Sequence, residues 1–546
     1  MKKVTALILA MLMVLTLLTS CGSQSTGSQS GGNQSGDQSD ASSASSSDQE
    51  EEQAPVEAVS GVSDETLVVA GENEFSALLP QYAETNPNSR GNNLLWDTLV
   101  HYDSETGEIS PGVATEWEWI DDTHIRFTLR EGITFSDGSP LTAEDVLYSF
   151  EQGKNYNLSG YYTTFADTDN FVIENDYSIV FALYTPYPQL LDILGCTHYA
   201  IICKSAIEAA GGMENATRTP VSSGKYFLVE WVDGQYCKFE RNDDYWDQDN
   251  LPYYKYIVYN FMDDAASRLM ALQSGEAQAL ISNTVAQLST MDADDSITYV
   301  IEQQNNLQAV WFNCTESEAM QDERVREAIC LALDAAGFNA VAFGGYAEET
   351  DACFPKSSPL YASPENGYRE VNLERAKELL SEAGYPNGEG LHLSLLCSTS
   401  DPSSTEVLQA QLEQLGIDAT VDQYEQATYL TMLRNGEYDI NVGMADSWDP
   451  SAILNRLDGR VSAATAQGGA RYQDEELYEL IDAAKTELDE TARKEIYAEI
   501  QQFANDHFIC YPLSNYVRID SYSSELTGLT YDLRGWPDLS TLRPVA

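Results

Sequence analysis

Basic residues and histidines are scarce in this chain. Its 546 residues carry 29 Lys and Arg against 87 Asp and Glu, a formal net charge of −58, with only five His. So acidic a surface repels phosphate backbones and anionic headgroups, which removes nucleic acid as a partner and leaves small molecules, cations and proteins. No Cys-x-x-Cys occurs and the His are scattered, so neither a structural zinc site nor any other cofactor is expected. Gly-x-Ser-x-Gly and His-Glu-x-x-His are also missing, and nothing triad-like surrounds the His. Spacing alone does not exclude a glycosidase-type carboxylate pair, so a secreted hydrolase stays open as the rival to a binding protein.

Long apolar runs are missing too, with one exception at the start. Lys2 and Lys3 precede Val4 to Leu18, apolar except for Thr5 and Thr16, in the order of a secretory signal and short for a membrane span. Leu18-Thr19-Ser20-Cys21 follows at once and resembles the lipobox of bacterial lipoproteins, which implies that Cys21 is acylated and becomes the mature N-terminus. From Gly22 to about Glu57 the chain is Ser, Gly, Gln, Asp and Glu and cannot build a core. As a flexible coil of about 36 residues it spans on the order of 30–36 Å, which suits a tether between a membrane and a globular body.

That body, about 485 residues, is large enough for two or three domains. Its eight cysteines, Cys196 to Cys510, could pair outside the cytoplasm, yet spacing selects no connectivity. Several sit in apolar runs such as "REAICLAL" and read as small buried hydrophobes. In "ATEWEWIDDTHIRFTLREGITFSDGSPLTAEDVLYSF", Trp117 and Trp119 alternate with acids, Asp121-Asp122 turn, and Ile125, Phe127 and Leu129 alternate again. This pattern predicts a β-hairpin with one buried face, then a helix that Thr142 and Asp145 cap, with Val146 and Phe150 inward. Further on, Asp322 is placed to cap a helix whose Val325, Ile329, Ala332 and Ala336 share one face. Helices at "NLERAKELLSEAGYP", "STEVLQAQLEQLG" and "ATYLTMLRNG" alternate with strands at "IDATV" and through Tyr438, Ile440, Val442 and Met444, the order of an α/β sheet.

The hairpin-and-helix segment closely resembles the signature of the family 5 extracellular solute-binding proteins, the peptide and nickel receptors of ABC importers. The matching elements are Phe127-Thr128-Leu129-Arg130, Phe135, Asp137-Gly138-Ser139-Pro140 and Thr142-Ala143-Glu144-Asp145-Val146. The likeness runs through "NNLLWDTLVHYD" and "RLMALQSGEAQAL", although the family's Gly-Thr-Gly-Pro-Tyr turn stands here as Ser222-Ser223-Gly224-Lys225-Tyr226. The resemblance implies an α/β, two-lobed periplasmic-binding-protein-like fold of type II with an extra subdomain. Lobe I is then expected over residues 61–304, with the extra subdomain near 95–215. Lobe II follows over 305–515, and 516–546 return to lobe I. Hinge strands are expected near Val300 to Phe312 and near Ile509 to Val517. The implied function is a lipid-anchored extracellular receptor, a monomer on the outer face of the cell membrane, that catalyses nothing and hands a solute to a permease.

Ligands of α/β sheets gather at the carboxyl ends of strands, and the strand through Met444 delivers Asp446, Ser447, Trp448, Asp449 and Pro450 to such an end. An acid beside a ring can hold an ammonium by a charge-assisted hydrogen bond and a cation–π contact. Peptide-binding members of the family carry an Asp in the matching "D-x-x-DP" position, so the resemblance gives Asp446 the peptide's α-ammonium. Phe75, Ser223 and Asn313 lie in segments that border the family's cleft and join Asp446, Ser447 and Trp448 as candidates. Arg434, Arg456 and Arg460 are candidate partners for a ligand carboxylate. Short peptides are the expected cargo, with oligosaccharides and a nickel chelate as alternatives.

Overall fold

A computed structural model describes residues 66–82, 86–104, 106–156, 165–367, 370–399 and 402–545. The signal segment, Cys21 and the tether lie outside the described residues.

Ten strands make one mixed sheet. In spatial order they are Asp418–Tyr424, His392–Ser398, Ile440–Asp446, Ile297–Phe312, Cys510–Ser523, Ala279–Leu280, Thr66–Gly71, Tyr256–Phe261, Tyr236–Arg241 and Tyr226–Val232. The first three are mutually parallel, and two helices, Ser403–Glu413 and Gln426–Asn435, make their crossovers. Gly436, at φ +76°, ends the second helix as a left-handed cap, a conformation that costs glycine little. The two longest strands, Ile297–Phe312 and Cys510–Ser523, pair antiparallel at the centre and connect a lobe on either side.

One hydrophobic core, around Trp311, Ile329, Leu380, Leu412 and Ile440, fills the lobe built on the parallel strands. A second, around Phe75, Leu95, Phe239 and Tyr259, fills the lobe built on the strands Thr66–Gly71 and Tyr256–Phe261. The latter carries a separate four-stranded antiparallel sheet, ordered Ala114–Asp121, His124–Leu129, Ser178–Ala182 and Val172–Asn175, with its own core. The helix Ala143–Asn155 packs there through Val146 and Phe150, and the backbone N–H of Thr142 donates to the Asp145 carboxylate at 2.9 Å.

Two expectations from periodicity meet competing geometry. Ile125, Phe127 and Leu129 are buried, but Trp119 on the facing strand is 39% exposed, because that strand is a sheet edge with a neighbour on one side only. The helix that Asp322 caps ends at Cys330, the chain turns, and a new helix runs over Ala335–Ala342. Val325, Ile329 and Ala332 are therefore buried while Ala336 faces solvent. All eight body cysteines are buried and none forms a disulfide. Among the described residues no helix is long and apolar enough to cross a membrane.

Gly224, in the expected turn, donates its N–H to the Leu95 carbonyl at 2.8 Å, and a Cβ there would sit 2.5 Å from the Leu95 carbonyl carbon. Backbone cannot yield as a side chain can, so Gly224→Ala should destabilise the protein by about 1–3 kcal/mol. Urea unfolding checks this; an unchanged midpoint would contradict the packing described.

Candidate functional site

The central strand pair is interrupted where the lobes meet. Gln303 lies opposite Val517 and Leu307 opposite Asn515, so three residues, Gln304, Asn305 and Asn306, face a single one, Tyr516. An insertion of this kind unpairs and bends a strand. The released segment turns to the third strand instead: Asn306 lies opposite Asp446, and the Asn305 carbonyl accepts from the N–H and hydroxyl of Ser447.

Beside this bulge lies a cavity of about 540 Å³ with walls from both lobes. Gln304 and Gln308 line it from one strand and Val442 and Met444 from the next. Side chains alternate along a strand, so Asn306 shares the first face and Asp446 the second. Tyr438 and Ile440, earlier on that second face, are buried in the lobe core; Val442, Met444 and Asp446 are half-buried. The expected alternating strand thus begins in the core and opens onto the cavity at its carboxyl end. Asn306 Oδ1 is buried and makes no hydrogen bond within the protein.

The opposite wall is charged. Glu72, Arg90, Arg268 and Arg518 line it, with Trp536. Arg90 Nη2 donates to Glu72 at 3.0 Å and to Ser282 at 2.9 Å. Burial works against the Glu72 carboxylate, yet the Arg90 charge and the hydrogen bonds from Arg90 and Ser282 hold its pKa below the ordinary value. Arg518 pairs with Asp520 behind it at 2.6 Å. The guanidiniums of Arg90 and Arg518 both lie over the Trp536 ring, 5.4 and 4.8 Å from its centre.

Ser447 and Trp448 line a second interlobe cavity, of about 470 Å³, together with Tyr102, Gln189, Asp192 and Arg493. Trp448 is 5% exposed and packs into the core of the four-stranded subdomain in the other lobe, its ring 5.3 Å from that of His198. Burial, then the neighbouring Arg534 charge, pushes the His198 pKa well down, so its neutral ring accepts through Nδ1 from Arg534 at 2.9 Å. Asp449 caps the helix Pro450–Leu457 and accepts from the Tyr187 hydroxyl across the lobes at 3.3 Å.

The remaining candidates lie away from both cavities. Asn313 is fully buried and donates to the carbonyls of Gly436 and Tyr438, and its own carbonyl accepts from the Glu316 N–H. Phe75 packs among Trp231, Tyr259 and Phe261, and Ser223 is buried near Asp97. Arg456 donates to the carbonyls of Gln467 and Met444 and lies over Trp311. Arg460 is held by Asp458 and Asp482, and Arg434 is exposed at a helix end. None of these six is among the residues lining either cavity.

Sequence reasoning passed over Gln304, Gln308, Glu72 and the three arginines of the charged wall. A signal existed for the glutamines: "EQQNNLQ" is a polar run inside a segment that otherwise reads as buried strand. Glu72 stands three residues before Phe75, in "GENEF". The arginines converge from segments hundreds of residues apart and left no local mark.

Two α/β lobes, a paired-strand crossing and a polar cavity between them define a solute receptor of the periplasmic-binding type. Residues 108–464 match the family described as bacterial extracellular solute-binding proteins, family 5, and the chain belongs to that family. It is 26% identical over 485 residues to the periplasmic oligopeptide-binding protein OppA of Salmonella typhimurium, covering 83% of this chain and 87% of that one. The fold matches DppA of Helicobacter pylori in complex with the peptide STSA, at TM-score 0.75 and 23% identity over 88% of this chain and 98% of that one. It also matches NikA of Brucella suis in complex with Fe(III)-EDTA, at TM-score 0.77 and 23% identity over 88% and 100%. The family consists of binding proteins, so the chain is a solute receptor and not a hydrolase.

Trp448 fastens one lobe into the other, so Trp448→Ala should open the molecule. Small-angle scattering of the variant is expected to give a larger radius of gyration than the parent; equal radii would show that Trp448 contributes nothing to closure.

Proposed function

We propose that the chain is the lipid-anchored receptor of an ABC importer, binding short peptides between its lobes and presenting them to a membrane permease. The observation that carries the peptide assignment is the wall formed by Gln304 and Gln308 beside Val442 and Met444, with Asn306 and Asp446 paired at the next register position of the same two strands. A peptide entering the cavity brings backbone amides that must be satisfied, since each buried amide without a partner costs about 1–3 kcal/mol. Primary amides both donate and accept, so this row suits a backbone of any sequence. Asp446, at the strand end, would take the α-ammonium by a charge-assisted hydrogen bond. Relatives named for oligopeptide and dipeptide binding support the same cargo. A bare metal ion is less well served: among the described residues no three His, Cys, Asp or Glu side chains are grouped to hold one.

Closure over the solute would set affinity, because contacts made only in the closed form offset the cost of bending the hinge. Cys21, acylated, would hold the receptor at the outer membrane face, and the tether would leave it free to open, close and meet the permease.

Asp446→Ala should weaken binding of a short free peptide by roughly 100-fold or more, since the ammonium is left buried without its partner. Calorimetry on a variant with unchanged unfolding tests this, and unchanged affinity would count against the assignment. Cys21→Ser should move the protein from the membrane fraction to the medium; retention on the membrane would overturn the anchor.

A further inference from the structure

A further cavity, of about 190 Å³, lies apart from the two between the lobes. Its walls belong to the lobe of Thr66–Gly71 alone. They include the strand Val100–Tyr102, the Gly224 turn at Lys225, and a C-terminal hairpin that pairs Thr530–Tyr531 with Pro537–Asp538. The charges reverse those of the main cavity: three carboxylates, Asp97, Asp532 and Asp538, face one ammonium, Lys225. His101, in the same wall, stays neutral, because burial and then the Lys225 charge push its pKa down to about 4. Two of the three acids are matched: Lys225 Nζ donates to Asp538 at 2.9 Å, and Arg534 Nη2 to Asp532 at 2.9 Å. The third is not. Asp97 is 3% exposed, and among the described residues no cation lies within ion-pair distance of it.

One oxygen of Asp97 accepts from the Tyr245 hydroxyl at 2.8 Å. The other, Oδ2, makes no hydrogen bond within the protein, although Ser223 and Trp246 adjoin the carboxyl. Burial outweighs these neighbours and pushes the Asp97 pKa up to about 6. A buried charge is stable only when paired and hydrogen-bonded, so this carboxylate lacks a positive partner. Aromatic rings share the wall: Trp96, Tyr102, Tyr245 and Tyr531. Ring faces attract a cation, and an ammonium brings N–H groups for the unpartnered oxygen. A metal ion is poorly served, since among the described residues no three His, Cys, Asp or Glu side chains are grouped to hold one. Pockets for drug-sized ligands run from about 300 to 1,000 Å³, so this one admits only a small molecule.

We infer that this cavity is a second binding site, for a small primary ammonium whose N–H groups meet Asp97 and whose short apolar body lies among Trp96, Tyr102 and Tyr245. The site is separate from the cleft and does not rest on the peptide assignment. Its hairpin nevertheless reaches the main cavity. Between the two hairpin strands the chain runs from Asp532 to Trp536; the Arg534 and Gly535 carbonyls accept from Gln304, and Trp536 lines the main cavity. An amine held at Asp97 thus sits against the element that carries Trp536 to the solute.

Propylamine is the probe, with propan-1-ol as its uncharged counterpart. Each is titrated into the purified protein and followed by ligand-observed NMR in about 0.15 M salt, which screens the general pull of an acidic chain on cations. The amine should bind with a Kd in roughly the millimolar range, as suits so small a ligand, and the alcohol at least about 10-fold more weakly. Asp97→Asn keeps the shape and removes the charge, so it should weaken amine binding by at least about 10-fold, while Asp446→Ala leaves it unchanged. If Asp97→Asn does not fold, the parent protein decides: the amine should bind several-fold more weakly near about pH 5 than near about pH 7.5, because protonation of Asp97 removes the charge it meets. No binding, equal binding of amine and alcohol, equal affinity at the two pH values, or undiminished binding by Asp97→Asn overturns the site. So does loss in Asp446→Ala, which would put the amine in the cleft.

Discussion

Everything in this molecule hangs on one bulged pair of antiparallel strands. Ile297–Phe312 and Cys510–Ser523 carry the sheet from one lobe into the other, so the strands that hold the fold together also cross the cleft. A continuous ladder would commit every main-chain group to the sheet and leave the crossing flat. Three residues against one at Gln304–Asn306 break the ladder there, hand Asn305 and Asn306 to the third strand, and set Gln304 on the cavity wall. The lobe crossing and the cavity wall thereby share Gln304.

Chemistry divides between the lobes around that crossing. One side offers neutral amides, Val442 and Met444; the other offers guanidiniums braced by Glu72, Asp520, Ser282 and Trp536. Neither half alone encloses a solute. Trp448 and the Tyr187–Asp449 hydrogen bond join the halves outside the main cavity.

Much of this was legible in the sequence, and unevenly. The α/β alternation after Asp322, the Thr142–Asp145 cap and the glycine stops declare themselves because caps and periodicity act over a few residues. The strand that ends at Asp446 was legible from its alternation. Asn313 and Phe75 misdirect for a physical reason: a polar or aromatic residue near a cleft serves equally well inside a lobe, and local sequence does not say which way it faces. Asn313 spends its amide on the Gly436 and Tyr438 carbonyls, a turn it could not be seen to meet. The arginine wall was invisible because Arg90, Arg268 and Arg518 become neighbours only through the sheet order.

The most direct test of the central claim, that this receptor closes on short peptides, is mass spectrometry of the small molecules released when the purified protein is denatured. A peptide receptor predicts a ladder of short-peptide masses at about one equivalent per chain, absent from a sample unfolded and refolded in clean buffer. Release of an oligosaccharide or a metal chelate in that stoichiometry would contradict it.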